Sequence, residues 1–408
     1  MTGLPETLAR PYDLFGRLAK VPADALLGLI ALYRADAPPD KIDLGVGVFR
    51  DDGGATPVMR AVKSAEAEIL ATQISKSYLG AEGDARYTEL LAKIALGEKL
   101  ACSPRITGVQ TPGGTGALRL GAEFVKRAAP DATVWIGEPT WPNHGPIFLE
   151  AGLRVKAHRF YDVAAAAVDI DAMIEDLGAA APGDILLLHG CCHNPTGAEL
   201  DAEAWQRIAT LCEERQLTPF VDLAYQGLGN GLEADAGPTR ALFAALPAAI
   251  LAYSCDKNFG LYRERVGALW IQGPEGADLE AARGNILALA RSLWSMPPDH
   301  GAAIVRVIPM MPRCEPSGTR SSMRCASGSI FCAGSSRRPI PSSPSSASSA
   351  GCSPCSPSLL TPSRRCGATM ASTWRATGAS TSPDSPKPMS RGSSRASHPI
   401  SNLAKACI

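Results

Sequence analysis

The sequence lacks an excess of charge of either sign, because 40 Lys and Arg balance 40 Asp and Glu over its 408 residues. It also lacks an apolar run close to the roughly 20 residues that a membrane-spanning helix needs. Residues 1–15, MTGLPETLARPYDLF, lack the basic and then apolar layout of a secretory signal. These absences give no reason to expect nucleic acid or a membrane as a partner, and we expect a cytoplasmic protein.

Acidic residues are scarce in residues 311–408, where Glu315 and Asp384 stand against 12 Lys and Arg, a net charge of +10. Residues 1–310 carry the compensating net charge of −10. Residues 311–408 also hold 26 Ser and seven of the 12 Cys. The change near residue 310 indicates that two segments of different composition are joined there.

Short apolar runs alternate with helical patterns from about residue 44 to residue 310. Five runs are typical of strands buried on both faces: 132–139, 184–190, 219–225, 249–255 and 267–273. Residues 201–217 place Trp205, Ile208, Leu211 and Cys212 on one helical stripe, with Asp201 as a candidate N-cap. The alternation predicts an α/β fold with a mainly parallel sheet between helices, and ligands then bind at the carboxyl ends of the strands.

A glycine-rich stretch, QTPGGTGALRL at residues 110–120, precedes a helical pattern. The free N–H groups of Gly113, Gly114, Thr115 and Gly116 and the positive helix end would face a phosphate. The spacing fits neither the G-x-G-x-x-G of a dinucleotide site nor the Lys-Ser/Thr ending of a P-loop. Taken alone, such a stretch is more often an ordinary turn.

A second motif, HGCCHNPTG at residues 189–197, directly follows a predicted strand. Its two His and two Cys raise the possibility of zinc, but adjacent Cys191 and Cys192 point to opposite faces and suit buried small residues better, so we expect no metal. Asn194 precedes Pro195, which restricts its backbone and allows its amide to be aimed at a ligand.

Two further strand ends carry ionisable groups. VDLAYQG places Asp222 at the end of an apolar run, three residues before Tyr225, and a carboxylate there is costly to bury unless it meets a cation or several donors. The alternative is an Asp that caps the following turn. YSCDKNFGLYRERVGAL carries Ser254, Lys257 and Arg265. A desolvated lysine in a positively charged setting becomes a nucleophilic amine, whereas an exposed one is an ordinary surface cation.

These four segments, in this order and at strand ends, resemble the fold type I aminotransferases that use pyridoxal 5'-phosphate, and specifically the aspartate and aromatic amino acid aminotransferase family. The resemblance runs from about residue 10 to about residue 308 and includes LGVGVFRDDGGATPV, KSYLG, EPTWPNH and RSLWSMPPDHG. It implies an N-terminal arm and part of a small domain in residues 1–45 and a large cofactor-binding domain in residues 46–308. The rest of the small α/β domain is expected to be largely lost.

The resemblance also implies the roles of the catalytic residues. Lys257 would bind the aldehyde of the cofactor and move the proton at the substrate Cα. Asp222, with His144 behind it, would pair with the pyridinium nitrogen. Asn194 and Tyr225 would reach the phenolate oxygen of the ring.

The other contacts that the resemblance implies hold the ring, the phosphate and the substrates. Trp141 would stack on the ring, and Gly47, Trp141, Asn194 and Arg291 would contact the substrate. The phosphate would be held by Gly114, Thr115, Ser254, Arg265 and the partner subunit's Tyr78, which requires a homodimer. Arg291, also from the partner, would grip a distal carboxylate.

The expected reaction is transamination between aspartate or an aromatic amino acid and a 2-oxo acid such as 2-oxoglutarate. The sequence does not rank aspartate above aromatic substrates. A nicotinamide oxidoreductase built on the glycine-rich turn is a rival hypothesis, but it leaves Lys257, Asp222 and Asn194 unexplained.

One residue departs from the family pattern inside the expected site. The family commonly has Ser immediately before the lysine, where it donates to the phosphate, whereas this chain has Asp256. A carboxylate about 4 Å from a phosphate repels it by about 4 kcal/mol per unit charge at an effective dielectric constant near 20. Either Asp256 turns away or the affinity for the cofactor is weakened.

The family motif that resembles GRINIAGL, whose arginine binds the substrate α-carboxylate, is missing after residue 310. Codons permitted by residues 370–388 read in a shifted frame as GIYMARDGRINIAGLTEA, which contains that motif. Residues 351–360 and 310–318 similarly permit the family-like MFSLLPL and DAALRTEW. We therefore expect residues 309–408 to be an out-of-frame, disordered segment that replaces the small domain. The alternative to the frameshift is a genuine basic, disordered binding segment. The alternative to transamination is a catalytically impaired remnant that still binds cofactor but lacks the arginine for the substrate α-carboxylate.

The frameshift hypothesis predicts a single-base insertion or deletion near the codon of Ile308. The measurement is the nucleotide sequence of the gene across codons 300–320, obtained in several independent reads. An uninterrupted frame in all of them would end the hypothesis.

Overall fold

The computed structural model describes residues 15–20, 25–38, 40–42, 45 and 47–310. The expected out-of-frame segment, residues 309–408, lies outside the described residues except for its first two. Both domain boundaries predicted from the sequence remain predictions.

A seven-stranded sheet with the strand order β1-β9-β8-β7-β6-β2-β3 forms the centre of the described region. Strands β3, β2, β6, β7 and β8 are parallel, and β9 runs antiparallel to both β8 and β1. The strands are β1 Ile106–Pro112, β2 Thr133–Glu138, β3 Arg154–Arg159, β6 Ile185–His189, β7 Thr218–Leu223, β8 Ala249–Ser254 and β9 Val266–Gln272. A separate hairpin pairs β4 Tyr161–Asp162 with β5 Ala167–Val168. The fold class and the five predicted strands are confirmed.

Strands β1 and β3 were not predicted, for different physical reasons. The edge strand β3, RVKAHR, is mostly exposed and has no apolar run. Strand β1, ITGVQTP, is interrupted by Gly108, which pairs in register with Trp270. A Cβ atom on Gly108 would lie 2.1 Å from the Trp270 ring, so the glycine admits a large neighbour instead of ending the strand.

Helices cover both faces of the sheet because alternate side chains of each buried strand point to opposite sides. Leu186 and Leu188 join one apolar cluster, and Ile185 and Leu187 join the other. The helices are α1 Ala25–Ala35, α2 Arg60–Thr72, α3 Ala85–Ala101, α4 Gly113–Ala128, α5 His144–Glu150, α6 Ile170–Leu177, α7 Ala202–Arg215, α8 Leu232–Ala245, α9 Leu279–Leu293 and α10 Asp299–Val307. Short 3₁₀ turns occur at Phe15–Arg17 and Ile308–Met310. None of these described helices has the length and apolar character to cross a membrane.

The helix predicted over residues 201–217 is α7. Asp201 caps it, because its carboxylate accepts a hydrogen bond from the Ala204 N–H at 2.8 Å. The predicted stripe of Trp205, Ile208, Leu211 and Cys212 is buried. Periodicity and capping chemistry therefore identified this helix correctly.

The parallel strands end at one edge of the sheet. His189 at the end of β6 pairs in register with Asp222 of β7, and Leu223 pairs with Tyr253 of β8. Side chains that are distant in sequence are brought together at this carboxyl edge.

A buried carboxylate joins β2 to the start of β6. Asp184 accepts hydrogen bonds from the Thr133 N–H at 2.8 Å, the Trp135 Nε1–H at 2.9 Å and the Ala181 N–H at 3.0 Å. Its side chain therefore satisfies three donors that lie at least partly out of water.

Replacing Asp184 by Ala leaves these donors without a partner, and we expect a loss of about 3 kcal/mol in the free energy of unfolding. The matched control is Asp171→Ala, which removes the largely exposed ion pair with Arg207 and should cost less than about 1 kcal/mol. Urea unfolding of the two variants measures the difference. Equal losses would contradict the role of Asp184.

Candidate active site

The candidate site lies at the carboxyl edge of the sheet, where the segments after β1, β2, β6, β7 and β8 meet the start of β9. The sequence predicted functional groups in most of these segments.

Asp222 is a buried carboxylate of the site, with 7% of its surface exposed. Its Oδ2 lies 3.1 Å from Nε2 of His144, the first residue of α5, which is fully buried. Nδ1 of the same ring lies 2.8 Å from the Thr140 hydroxyl. Asp222 thus belongs to a hydrogen-bonded chain and is not the cap of a turn. Thr140 was not singled out in the sequence, since a threonine in EPTWPNH carries no signal of its own.

Lys257 lies in the turn after β8, and its Nζ is 5.1 Å from the centroid of the Tyr225 ring. The Tyr225 hydroxyl accepts a hydrogen bond from Asn194 Nδ2 at 3.3 Å. A Cβ atom on Gly47 would lie 3.4 Å from that hydroxyl, so the segment of residue 47 also reaches this point. Three predicted residues, Lys257, Asn194 and Gly47, are therefore assembled around Tyr225.

The pKa of Tyr225 is raised above the usual range of a phenol. Burial of the ring is the largest cause, and the negative charge of Asp222 adds to it. The hydrogen bond from Asn194 acts in the opposite direction. Tyr225 therefore remains a neutral hydroxyl that can donate a hydrogen bond.

The glycine-rich stretch forms the start of α4 beside Ser254 and Arg265. A Cβ atom on Gly113 would lie 2.6 Å from Arg265 Nη2, and one on Gly114 would lie 3.0 Å from Ser254 Cβ. Gly113 has a φ of 71°, a conformation that favours glycine. Thr115 lies in the first turn of the same helix. We call Gly113, Gly114, Ser254 and Arg265 the anion cup, because N–H groups, a hydroxyl and a guanidinium converge there.

Asp256 does not turn away from the anion cup. Its Oδ2 accepts a hydrogen bond from Arg265 Nη1, and its Oδ1 accepts one from the Val266 N–H at 3.3 Å. Burial is the largest influence on Asp256 and raises the pKa of its carboxyl, although the charge of Arg265 opposes this. The possibility that Asp256 turns away is therefore wrong, and a weakened affinity for the cofactor stays a prediction.

Three imidazoles line the region behind Asp222. The His144 and His189 rings are 5.1 Å apart, and the His189 and His193 rings are 4.3 Å apart. Desolvation is the largest cause of the lowered pKa of both His189 and His193. A cavity of about 130 Å³ is lined by Thr140, His158 and His189, among other residues. This cavity was not predicted from the residue pattern.

The zinc hypothesis for residues 189–197 concerned two His and two Cys. The structure instead groups Cys191 and Cys192 with Asp235, with possible ligand atoms within 4.8 Å of one another. His144, His189 and Asp222 form a second group of this kind. The carboxylate of Asp235 is already occupied by backbone N–H donors, namely those of Gly227, Gly229 and Asn230.

Three predicted residues, Tyr78, Arg291 and Trp141, lie outside the cluster around Tyr225 and the anion cup. Tyr78 is 92% exposed, and Arg291 of α9 is exposed and donates to the Ser295 hydroxyl. Among the described residues, neither side chain forms a hydrogen bond or ion pair with Asp222 or Lys257. Trp141 lies next to the site and contacts His144 edge to face, with 5.2 Å between ring centroids.

Together these groups can bind an aromatic ring with a basic nitrogen and an anionic substituent. Asp222 can stabilise a protonated ring nitrogen, the anion cup can hold a phosphate, and Lys257 offers an amine beside the Tyr225 ring.

Comparisons with known proteins agree with this chemistry. Residues 39–309 match the family described as Aminotransferase class I and II. The tyrosine aminotransferase of Rhizobium meliloti is 48% identical over 295 residues, covering 72% of this chain and 75% of that protein. The aspartate aminotransferase of Escherichia coli is 42% identical over 297 residues, with the same two shares. A crystal structure of an aromatic-amino-acid aminotransferase from Burkholderia pseudomallei, covalently bound to pyridoxal phosphate, is 40% identical with a TM-score of 0.69 and covers 72% of this chain and 74% of that one.

His193 should make the folded protein sensitive to acid. Burial, and then the neighbouring His144, lower its pKa from 6.5 to about 4. Between these values the unfolded chain binds a proton that the native state excludes, so stability falls as the pH drops from 6.5 to about 4. We expect His193→Gln to reduce this loss by at most about 3 kcal/mol. The measurement is the free energy of unfolding in urea at both ends of that range.

His300→Gln is the matched control, because His300 is partly exposed beside Glu264. An unchanged pH dependence in His193→Gln would show that His193 is not the group responsible.

Proposed function

Because the chain belongs to the class I and II aminotransferases and has their fold type I architecture, we propose that its site binds pyridoxal 5'-phosphate and transfers the amino group of aspartate or an aromatic amino acid to a 2-oxo acid such as 2-oxoglutarate. The named relatives act on aromatic amino acids and on aspartate, and one of them is described with this cofactor covalently bound.

The observation that carries the proposal is the buried pair of Asp222 and His144. When bound, pyridoxal phosphate supplies an aldehyde that condenses with amines and a pyridinium ring that accepts electrons from the substrate Cα. A ring nitrogen keeps its proton when it lies beside a carboxylate that is withdrawn from water. Asp222 is 7% exposed and supplies that charge, and the contacts with His144 and then Thr140 hold it in one orientation.

Lys257 provides the amine that attaches the cofactor. When it is not bonded to the cofactor, the same amine would act as the base that holds and moves the proton at the substrate Cα. The Tyr225 ring beneath its Nζ restricts where that amine can move. Lys257 therefore acts in both attachment and proton transfer.

Tyr225 and Asn194 bind the phenolic oxygen of the cofactor. The raised pKa of Tyr225 keeps its proton available for donation, and Asn194 fixes the direction of the hydroxyl. Trp141, which packs against His144, covers one face of the ring.

The anion cup binds the phosphate. Ser254 is 1% exposed at the end of β8, and Gly114 and Thr115 present backbone N–H groups at the positive end of α4. Arg265 contributes the positive charge and a planar set of donors.

Substrate recognition involves a second copy of the chain. Tyr78 and Arg291 are exposed in a single chain, which is compatible with the homodimer that the family resemblance implies. In that arrangement the partner subunit's Tyr78 reaches the phosphate, and the partner subunit's Arg291 binds the distal carboxylate of a dicarboxylic substrate. Gly47 leaves space for the substrate α-carboxylate beside Tyr225.

The alternative is an impaired remnant that binds cofactor without turning over substrate. It is favoured by the absence of a GRINIAGL-like string from residues 311–408, and the family match ends at residue 309. Loss of a charge-assisted pair with the α-carboxylate costs roughly 2 to 5 kcal/mol.

Lys257→Ala should remove covalent attachment of the cofactor and lower amino transfer by a factor on the order of 10³ or more. Borohydride reduction followed by peptide mass analysis locates the attachment, and transfer from aspartate and from phenylalanine to 2-oxoglutarate measures turnover. Lys93→Ala, on the exposed face of α3, is the control and should change neither.

Attachment at Lys257 without measurable transfer would favour the impaired remnant. If the unmodified chain carried no label at Lys257 after reduction, the proposed function would be wrong.

A further inference from the structure

The carboxylate of Asp256 occupies a position inside the anion cup. A Cβ atom on Gly113, the first residue of α4, would lie 3.3 Å from Asp256 Oδ2. The side chain of Asp256 is 6% exposed, and its backbone N–H donates to the Ser254 hydroxyl at 3.2 Å. The residue is therefore built into the same cluster of groups that would hold a phosphate.

Asp256 uses one corner of the Arg265 guanidinium. Nη1 of Arg265 donates to Asp256 Oδ2 and to the Tyr262 carbonyl at 3.0 Å. Among the described residues, Nε and Nη2 of Arg265 have no hydrogen-bond partner, and Nη2 faces Gly113. Arg265 thus keeps one edge for a ligand while its positive charge is already matched by a buried carboxylate.

We propose that Asp256 is an affinity-determining residue of the anion cup: its carboxylate is an internal counter-ion of Arg265 and lowers the contribution of the phosphate group to cofactor binding. The proposal rests on the proposed function, in which the cup binds the phosphate of pyridoxal phosphate.

Two opposing effects decide whether Asp256 weakens or strengthens the binding of phosphate. Two anions on the same guanidinium lie roughly 6 Å apart, and their repulsion at an effective dielectric constant near 20 corresponds to about 100-fold in affinity per unit charge. In the other direction, holding Arg265 in place saves rotamer entropy worth at most about 30-fold. A phosphate carries more than one negative charge at neutral pH, so repulsion outweighs positioning.

The test compares pyridoxal phosphate with pyridoxal, which lacks the phosphate, on the full chain in mildly alkaline buffer. The quantity measured is the dissociation constant of pyridoxal divided by that of pyridoxal phosphate, because effects on the ring and on Lys257 cancel in this ratio. A larger ratio means a stronger preference for the phosphate form. We expect Asp256→Ser to increase the preference for the phosphate form at least tenfold. Asp256→Asn, which keeps an acceptor for Arg265 and loses only the charge, should do the same.

Glu264→Gln is the matched control, because it removes a negative charge from the same loop at a side chain that faces His300. Its ratio should remain that of the unchanged chain. Stabilisation of the cofactor-free protein against heat by inorganic phosphate gives a second readout that needs no aldehyde chemistry, and it should be larger in Asp256→Asn.

An unchanged or smaller ratio in both Asp256 variants, with cofactor still attached to Lys257, would overturn the role of Asp256 and leave the proposed function intact. Absence of attachment in every variant, together with a larger stabilisation by inorganic phosphate in Asp256→Asn, would refute the proposed function and retain the charge effect of Asp256. Absence of both responses would overturn both.

Discussion

The site depends on one carboxylate held out of water. An isolated buried charge costs several kcal/mol, so Asp222 requires a fixed partner. His144 is that partner, and Thr140 fixes the other ring nitrogen of His144. This arrangement requires the end of β7 to lie two strands away from the turn that follows β2, which is the spacing that the order β7-β6-β2 provides. The strand order of the sheet is therefore what allows His144 to reach Asp222.

Much of the fold could be predicted because parallel strands are buried on both faces and appear as continuous apolar runs. The same logic located Asp222, Asn194 and Lys257, since ligands bind where such strands end. It missed β3, whose exposed edge position removes the apolar signal, and β1, where a glycine looks like a break until its neighbour Trp270 is known. Strands that are buried on both faces are therefore the ones that the sequence predicts best.

The direction of Asp256 could not be predicted, because it is decided by contacts that residue order does not display. Arg265 is nine residues away and has a φ of 53°, and only the folded turn aims its guanidinium at that carboxylate. Thr140 is a similar case, since its role depends on which way the His144 ring faces. The roles expected of Tyr78 and Arg291 belong to an assembly of two chains, and contacts within one chain do not determine them.

The antiparallel strand β9 places the two halves of the anion cup side by side: Pro112 at the end of β1 pairs with Val266 at the start of β9. Strand β1 forms one margin of the sheet, where fraying begins most easily. A ligand that bridges Gly113 and Arg265 would restrain this margin, and amide hydrogens there would exchange more slowly with solvent once it is bound. Binding of such a ligand would therefore also slow local unfolding at this margin and the proteolysis that follows from it.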